Sequence, residues 1–274
     1  MSTRAITARS GLALAIMLAC SLASSAPGSS APTAEKITIT SVDPKVGPIP
    51  ATVNRPDGEG PFPAIVLLHG CSGVGESDVE WGVWLRRRGY VTIMPESLSP
   101  RHLETSCGRG LGYGLQAQDG MGALAYLRGQ SYVAPAKVFV MGWSHGGAAT
   151  LISAGKGFMK RFSPSGGPYR AAIALYPACE AFPKGDLASP LMMLMGAEDD
   201  WQPPGQCVQR GTELQATSAS IEWTVYPGAT HAFDVPKQDR SFFVNGRLVH
   251  LRYDPAAAGD AHTRVEQYLR AHLQ

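Results

Sequence analysis

Short apolar runs separated by helical patterns constrain the fold of this chain more than any other feature. Six runs are apolar at nearly every position, namely 64–68, 91–94, 138–141, 171–176, 191–195 and 221–226. Continuous apolar runs are typical of strands that a parallel sheet buries on both faces. The intervening segments carry apolar residues at helical intervals. We therefore predict an α/β fold, with a doubly wound, mostly parallel sheet and helices on both faces.

Other segments refine this prediction. Two early strands, at residues 36–42 and 51–55, are expected to pair antiparallel at one edge of the sheet. Ser77 and Glu80 have the spacing of a capping box at the start of a helix. Residues 155–169 are rich in Gly, Ser and Pro, and we expect them to form a loop.

A second insertion covers residues 241–252. Asn245 and Gly246 lie between two apolar runs there. This dipeptide favours a type I′ turn, which needs positive φ at both positions. The segment is therefore predicted to be a β-hairpin.

The N-terminus has the three parts of a secretory signal. Arg4 and Arg9 precede the apolar run 11–19, and small residues follow up to Ala26. The apolar run is too short for a comfortable membrane span. We expect residues 1–26 to be a signal peptide and the mature protein to be exported.

The rest of the chain is expected to form one domain. Residues 27–35 are rich in Pro, Ala and Ser and are interpreted as a flexible leader. Residues 36–274 are then assigned to a single α/β domain. As an alternative to cleavage after Ala26, Cys20 follows a lipobox-like stretch and could be lipid-anchored.

Charge excludes some partners. The chain has 24 basic and 22 acidic side chains, and loss of Arg4 and Arg9 with the signal leaves 22 of each. A neutral chain gives no electrostatic reason to bind nucleic acid or an anionic membrane. We expect a small-molecule substrate and no obligate protein partner.

Four cysteines remain after the signal, and an even number in an exported chain favours disulfides. We prefer Cys71–Cys107 and Cys179–Cys207, because each pair would join two loops at one rim of the sheet. Other pairings and free thiols remain alternatives. The spacing contains no CxxC, so no metal site is expected.

The strongest site signal is a G-x-S-x-G motif centred on Ser144. It follows the apolar run 138–141 and precedes a helical pattern, as Gly142-Trp143-Ser144-His145-Gly146-Gly147. This context is that of a nucleophile elbow, a sharp turn that lifts the serine hydroxyl above the sheet. Ser144 is the candidate nucleophile.

A serine nucleophile needs a base and a carboxylate that orients the base. Of seven histidines, His231 lies just past the last central strand, at the same sheet edge as Ser144. Asp199 follows the strand at 191–195 and is the preferred carboxylate, with Asp200 as its rival. The order Ser144, Asp199, His231 is the order of α/β-hydrolases.

Further residues are assigned around this centre. The backbone N–H groups of Cys71 and His145 are the candidate oxyanion donors. Trp143 and Trp201 are candidate substrate contacts. Arg101 could bind a substrate carboxylate or, alternatively, pair with an acidic residue of a loop.

Together these residues resemble the dienelactone hydrolase family. The similarity covers about residues 50–273, excluding the insertion near 235–255. It is carried by 68–73, 142–147, 196–203 and 226–234. The resemblance implies a small esterase or lactonase that needs no cofactor, with Asp199 as the acid of the triad.

The chain departs from the founding members of that family. They have a cysteine nucleophile where this chain has Ser144, and they are cytoplasmic. His69 stands about where they have a carboxylate that helps control the cysteine. We therefore expect general carboxylic ester or lactone hydrolysis, with dienelactone itself a doubtful substrate.

Two other functions remain open at this point. An exopeptidase or acyltransferase would have the same triad, although peptidases of this fold usually add a large gating domain, for which we find no length. An inactive binding module of the same fold is the alternative of a different class.

Overall fold

One eight-stranded sheet organises the protein. The computed structural model describes residues 1–3, 34–108, 110–163, 166–217 and 220–274. The sheet has the order β1-β2-β4-β3-β5-β6-β7-β8. Its strands are β1 (Glu35–Thr40), β2 (Pro48–Asn54), β3 (Phe62–Leu68), β4 (Val91–Pro95), β5 (Val133–Trp143), β6 (Ala172–Leu175), β7 (Leu191–Gly196) and β8 (Ile221–Tyr226).

The strand directions follow from the apolar pattern. β4, β3, β5, β6, β7 and β8 pair in parallel, and every residue of β6 and β7 is buried. β1 and β2 are antiparallel at one edge, where exposed and buried residues alternate. The predicted α/β architecture is thus confirmed.

Helices cover both faces of the sheet. The helices are α1 (Glu76–Arg86), α2 (Tyr113–Arg128), α3 (His145–Ala154), α4 (Lys156–Phe162), α5 (Gly205–Gln215) and α6 (Pro255–Ala271). α2, α3 and α5 contribute to one apolar core, whereas α1 and α6 contribute to a second core on the opposite face. In the described part of the chain, no helix has the length and apolarity required to cross a bilayer.

Two local predictions are wrong. α1 is capped two residues earlier than Ser77, at Gly75, whose N–H donates to the Asp78 carboxyl group over 2.8 Å. Asp78 is at the third position of the helix, from which its side chain reaches back to the Gly75 N–H. The expected loop at 155–169 begins with helix α4, because Phe158 and Phe162 pack against the core.

The predicted hairpin is present. Strands β9 (Asp239–Val244) and β10 (Arg247–Arg252) pair antiparallel, and Asn245 and Gly246 turn with φ of 50° and 78°. β10 also forms a bridge from Leu251 to His231. The hairpin therefore packs on the loop that follows β8.

The N-terminal predictions are not addressed by this fold. Most of the expected signal peptide, most of the leader and Cys20 fall within residues 4–33, outside the described residues.

Helix α2 provides a test of its packing. A Cβ at Gly122 would lie 2.2 Å from the backbone oxygen of Thr40, whereas a Cβ at Gly114 of the same helix would have no neighbour within 4 Å. We expect Gly122→Ala to lower the free energy of unfolding by about 1–3 kcal/mol through overpacking. Gly114→Ala should be neutral or stabilising by up to about 1 kcal/mol. Urea unfolding with disulfides intact measures both, and equal effects would contradict this packing.

Candidate active site

Ser144 occupies a strained turn between β5 and α3. Its φ is 51° and its ψ is −112°, an unusual conformation for a residue with a side chain. A Cβ at Gly142 would approach the Gly146 oxygen to 2.3 Å, and one at Gly146 would approach the Leu68 oxygen to 1.9 Å. Only glycine fits at these two positions, so the motif's glycines are what allow the chain to turn here.

The imidazole of His231 connects Ser144 with Asp199. The Ser144 hydroxyl lies 2.9 Å from Nε2, and Nδ1 lies 2.7 Å from Asp199 Oδ2. A carboxylate can only accept, so Nδ1 carries the proton and Nε2 is free to accept from the serine hydroxyl. His231 and Asp199 are 2% and 3% exposed. Burial strengthens both contacts, because water does not compete for them.

The second carboxylate oxygen of Asp199 also accepts hydrogen bonds. Oδ1 accepts from the N–H groups of Trp201, at 3.0 Å, and Gln202, at 2.7 Å. Hydrogen bonds on both oxygens fix the carboxylate in the orientation that meets His231. The turn after β7 therefore positions the side chain that it carries.

Asp200 binds a different histidine. Its carboxylate accepts from the backbone N–H of His250, over 3.1 Å, and lies 2.5 Å from Nδ1 of the same residue. The hydrogen bonds from His250 lower the pKa of Asp200 against the effect of desolvation. His250 belongs to β10, so Asp200 tethers the hairpin and does not reach His231.

The loop after β3 lies beside the nucleophile. A Cβ at Gly70 would lie 4.0 Å from the Cβ of Ser144, and Cys71 lines the same pocket as Ser144. The N–H of His145 is at the first residue of α3, where helical N–H groups are unpaired and the helix dipole is positive. Both candidate oxyanion donors thus come from segments that border the serine.

His69 fixes the direction of this loop, a role that the sequence did not reveal. The Ser97 N–H donates to Nε2 over 3.1 Å, so Nδ1 carries the proton and donates to the Gly70 oxygen over 2.7 Å. Complete burial lowers the pKa of His69 and favours this neutral form. In a trans peptide the Cys71 N–H points opposite to the Gly70 carbonyl. His69 therefore orients that N–H away from itself.

The structure contains both preferred disulfides, Cys71–Cys107 and Cys179–Cys207. The first ties the loop after β3 to the segment after β4, and the Cys71 oxygen accepts from the Ser106 N–H at 2.8 Å. The second joins the turn after β6 to α5. Across the described residues, no group of His, Cys, Asp and Glu has the arrangement of a metal site.

A cavity of about 440 Å³ opens at Ser144 and His231. Its aromatic walls are Trp143, Trp201, Tyr176 and Phe242. The ring of Trp201 lies 4.9 Å from that of His231. Trp143 and Trp201 line the pocket, their contact with substrate stays a prediction, and the hairpin adds Phe242 as a further wall. This aromatic lining suits an apolar group next to the nucleophile.

Of the two roles considered for Arg101, the structure contains the pairing with an acid, although that acid lies on helix α2 and not in a loop. Its guanidinium binds both oxygens of Asp119, at 2.8 and 2.9 Å, and donates to the Ser97 oxygen, at 2.8 Å. Asp119 is fully buried on α2, and a buried carboxylate without a cation is costly. The guanidinium of Arg101 is occupied by these hydrogen bonds, and Arg101 does not line the Ser144 pocket.

Tyr176 and Asp234 support His231 and were missed. Tyr176 has a φ of 36°, and its ring meets that of His231 edge to face at 4.8 Å. Its hydroxyl donates to Asp234 over 2.6 Å, and Trp81 Nε1 donates to the other oxygen of Asp234 over 2.8 Å. Burial raises the pKa of Asp234. The positive φ and the buried contacts arise only in the folded chain, so sequence pattern carries no signal for them.

Asp78 is a titratable group in the wall of the pocket. Desolvation by burial raises its pKa to about 7, with the Gly75 N–H opposing this shift and Asp234 adding to it. The folded protein therefore binds a proton at Asp78 over a pH range in which the unfolded chain has lost it. This group's stabilisation is complete below the unfolded pKa and is lost as pH rises towards 7.

Replacing Asp78 by Asn should remove this pH dependence of stability, because Asn does not titrate. Asn also keeps an oxygen that can accept from the Gly75 N–H. We expect the stability of Asp78→Asn, relative to wild type, to increase as pH rises from about 4 to about 7. Urea unfolding at pH values across this window measures the difference. A difference that is constant with pH would show that Asp78 titrates normally.

Comparison with known proteins completes the description of the site. A sequence model described as the dienelactone hydrolase family matches residues 49–273. Among solved structures, a dienelactone hydrolase-like promiscuous phosphotriesterase from metagenomic libraries is 18% identical, with a TM-score of 0.66, over 88% of this chain and 99% of that one.

Two further structures are similar in fold. A Thermogutta terrifontis esterase is 16% identical, with a TM-score of 0.63, over 86% of this chain and 91% of its own. Dipeptidyl peptidase 4 of Porphyromonas gingivalis is 17% identical, with a TM-score of 0.64, over 88% of this chain but 36% of its own.

Proposed function

The chain belongs to the dienelactone hydrolase family, and from this premise we propose that it is a serine hydrolase of carboxylic esters or lactones. The observation that carries the proposal is the buried His231, whose two ring nitrogens contact the Ser144 hydroxyl and the Asp199 carboxylate. A hydroxyl, an imidazole and a carboxylate in this order make up the machinery of acyl transfer.

The first half of the reaction forms an acyl-serine. His231 Nε2 takes the proton of Ser144 as the serine oxygen attacks the carbonyl carbon of the ester. The resulting oxyanion accepts from the N–H groups of Cys71 and His145, and Asp199 stabilises the imidazolium. Collapse of the tetrahedral intermediate breaks the bond to the alcohol oxygen, which takes the proton back from His231.

The second half releases the acid. His231, neutral again, takes a proton from water as that water attacks the acyl-serine carbonyl. The same two N–H groups hold the second oxyanion, and the proton returns to the Ser144 oxygen as the bond between acyl group and serine breaks. The neutral tautomer with Nδ1 held by Asp199 is required at both steps, which is why the carboxylate must stay ionised and fixed.

Replacement of the triad residues tests this mechanism. We expect Ser144→Ala to abolish hydrolysis of p-nitrophenyl butyrate and labelling by a fluorophosphonate probe. Asp199→Asn should lower kcat by about a thousandfold or more, because the wrong tautomer of His231 is then favoured.

Asp200→Asn is the matched control for Asp199→Asn, since it makes the same chemical change one residue away. We expect its kcat within about threefold of wild type, because Asp200 contacts the hairpin and not His231. Comparable losses in both variants would contradict the assignment of Asp199. Full activity of Ser144→Ala would contradict the proposed reaction, and absence of any activity or labelling in wild type would favour a binding module.

The two disulfides indicate an oxidising environment. We propose that residues 1–26 direct export and are then removed. The supporting observations are the basic start, the apolar run and the small residues that end at Ala26. Lipid attachment at Cys20 is the alternative form of export.

Expression of the full chain in a bacterium with a periplasm tests this proposal. We expect the protein in the periplasmic fraction, with an intact mass that corresponds to a start at Pro27 and to two disulfides. Cys20→Ala should not change this mass. A membrane-bound product that Cys20→Ala releases would indicate the lipid anchor, whereas an uncleaved cytoplasmic protein would contradict export.

A further inference from the structure

A second cavity, of about 430 Å³, lies beneath the same hairpin as the Ser144 pocket. Its walls are polar where those of the Ser144 pocket are aromatic. Its polar lining includes the side chains of Ser106, Tyr113, Glu180, Gln202, Asn245 and Arg247. Nothing in the proposed mechanism uses this cavity.

The two cavities meet at Trp201, which lines both. His145 and Gln202 line the polar cavity and directly follow Ser144 and Trp201 of the aromatic pocket. The hairpin covers both, with Arg247 over the polar cavity and Phe242 over the aromatic one. The two cavities are therefore neighbours under one hairpin, and the Ser144 hydroxyl lies in the aromatic one.

The chemistry of the two cavities indicates which part of an ester each would take. The aromatic lining of the Ser144 pocket suits an apolar acyl portion. The polar cavity, on the other side of the shared residue Trp201, is then the place for the alcohol portion.

The polar cavity offers both donors and acceptors. The Tyr113 hydroxyl donates to Glu180 over 3.0 Å, which leaves the second Glu180 oxygen available. His145 is 6% exposed, and its Nε2 has no hydrogen-bond partner among the described residues. Burial lowers the pKa of His145 to about 4, so this ring is neutral near pH 7. Because this nitrogen is enclosed by protein atoms, the groups that a ligand can reach in the cavity are those of Glu180, Gln202 and Arg247.

We propose that this cavity binds the alcohol portion of the substrate and that this alcohol is polyhydroxylated, as in a sugar ester. The inference rests on the proposed ester hydrolysis at Ser144. Each hydroxyl both donates and accepts, which matches the mixture of groups that Glu180, Gln202 and Arg247 present. An apolar alcohol would remove water from these groups without replacing its hydrogen bonds.

Two butyrate esters of matched size test the proposal, namely methyl 6-O-butyryl-glucopyranoside and cyclohexylmethyl butyrate. Both have the same acyl group and a six-membered ring on the alcohol, and they differ in the polar oxygens of that ring. We expect wild type to have a kcat/KM at least about tenfold higher for the glucoside, because a site that hydrogen-bonds hydroxyls rejects an analogue without them.

Variants of the cavity should lower this ratio. We expect Tyr113→Phe and Gln202→Ala each to reduce the ratio by about threefold or more, since each removes a polar group that only the glucoside engages. Gln209→Ala is the control for Gln202→Ala, because Gln209 is an exposed glutamine on α5 outside the cavity. This control should leave the ratio as in wild type.

Hydrolysis of p-nitrophenyl butyrate distinguishes failure of the proposed alcohol site from failure of the proposed ester hydrolysis. If wild type hydrolyses it but shows no preference for the glucoside, or if the cavity variants leave the ratio unchanged, the alcohol site is refuted and ester hydrolysis stands. If wild type does not hydrolyse p-nitrophenyl butyrate or either of the other esters, the proposed function fails and the alcohol site fails with it.

Discussion

The hydrogen bond between Asp199 and His231 is the interaction on which the rest of the site depends. It joins the ends of β7 and β8 at 2.7 Å and leaves Nε2 directed at Ser144. Both partners are almost fully buried, so the bond is strong only while the surrounding structure excludes water. The rings of Tyr176 and Trp201, which both pack on the imidazole, supply part of that exclusion.

Parallel strands make this convergence possible. β5, β6, β7 and β8 all present their carboxyl ends at one edge, so the residues that follow them meet although they are distant in sequence. The loop after β3 reaches the same edge, and the glycine at 146 allows it to pass close to the start of α3. Neutral His69 and the disulfide at Cys71 then hold this loop, so the candidate oxyanion donors need little rearrangement.

Much of this arrangement could be predicted from sequence, because continuous apolar runs report strands buried on both faces. The order Ser144, Asp199, His231 then follows from the order of the strands after which these residues come, namely β5, β7 and β8. Asp199 was preferred to Asp200 before the family resemblance implied the same residue, but both acids lie in one turn and only the folded turn decides which faces His231. The sequence left two roles open for Arg101, because its partner, Asp119, lies on another element and becomes buried only on folding.

The central claim is that Ser144 carries the acyl group during turnover. Its most direct test is mass spectrometry of peptides from a reaction with p-nitrophenyl butyrate that is quenched in acid during steady state. The account predicts a butyryl group on the peptide that contains Ser144, and its accumulation in proportion to the burst of p-nitrophenol. A butyryl group on a different residue, or a burst without any modified peptide, would contradict it.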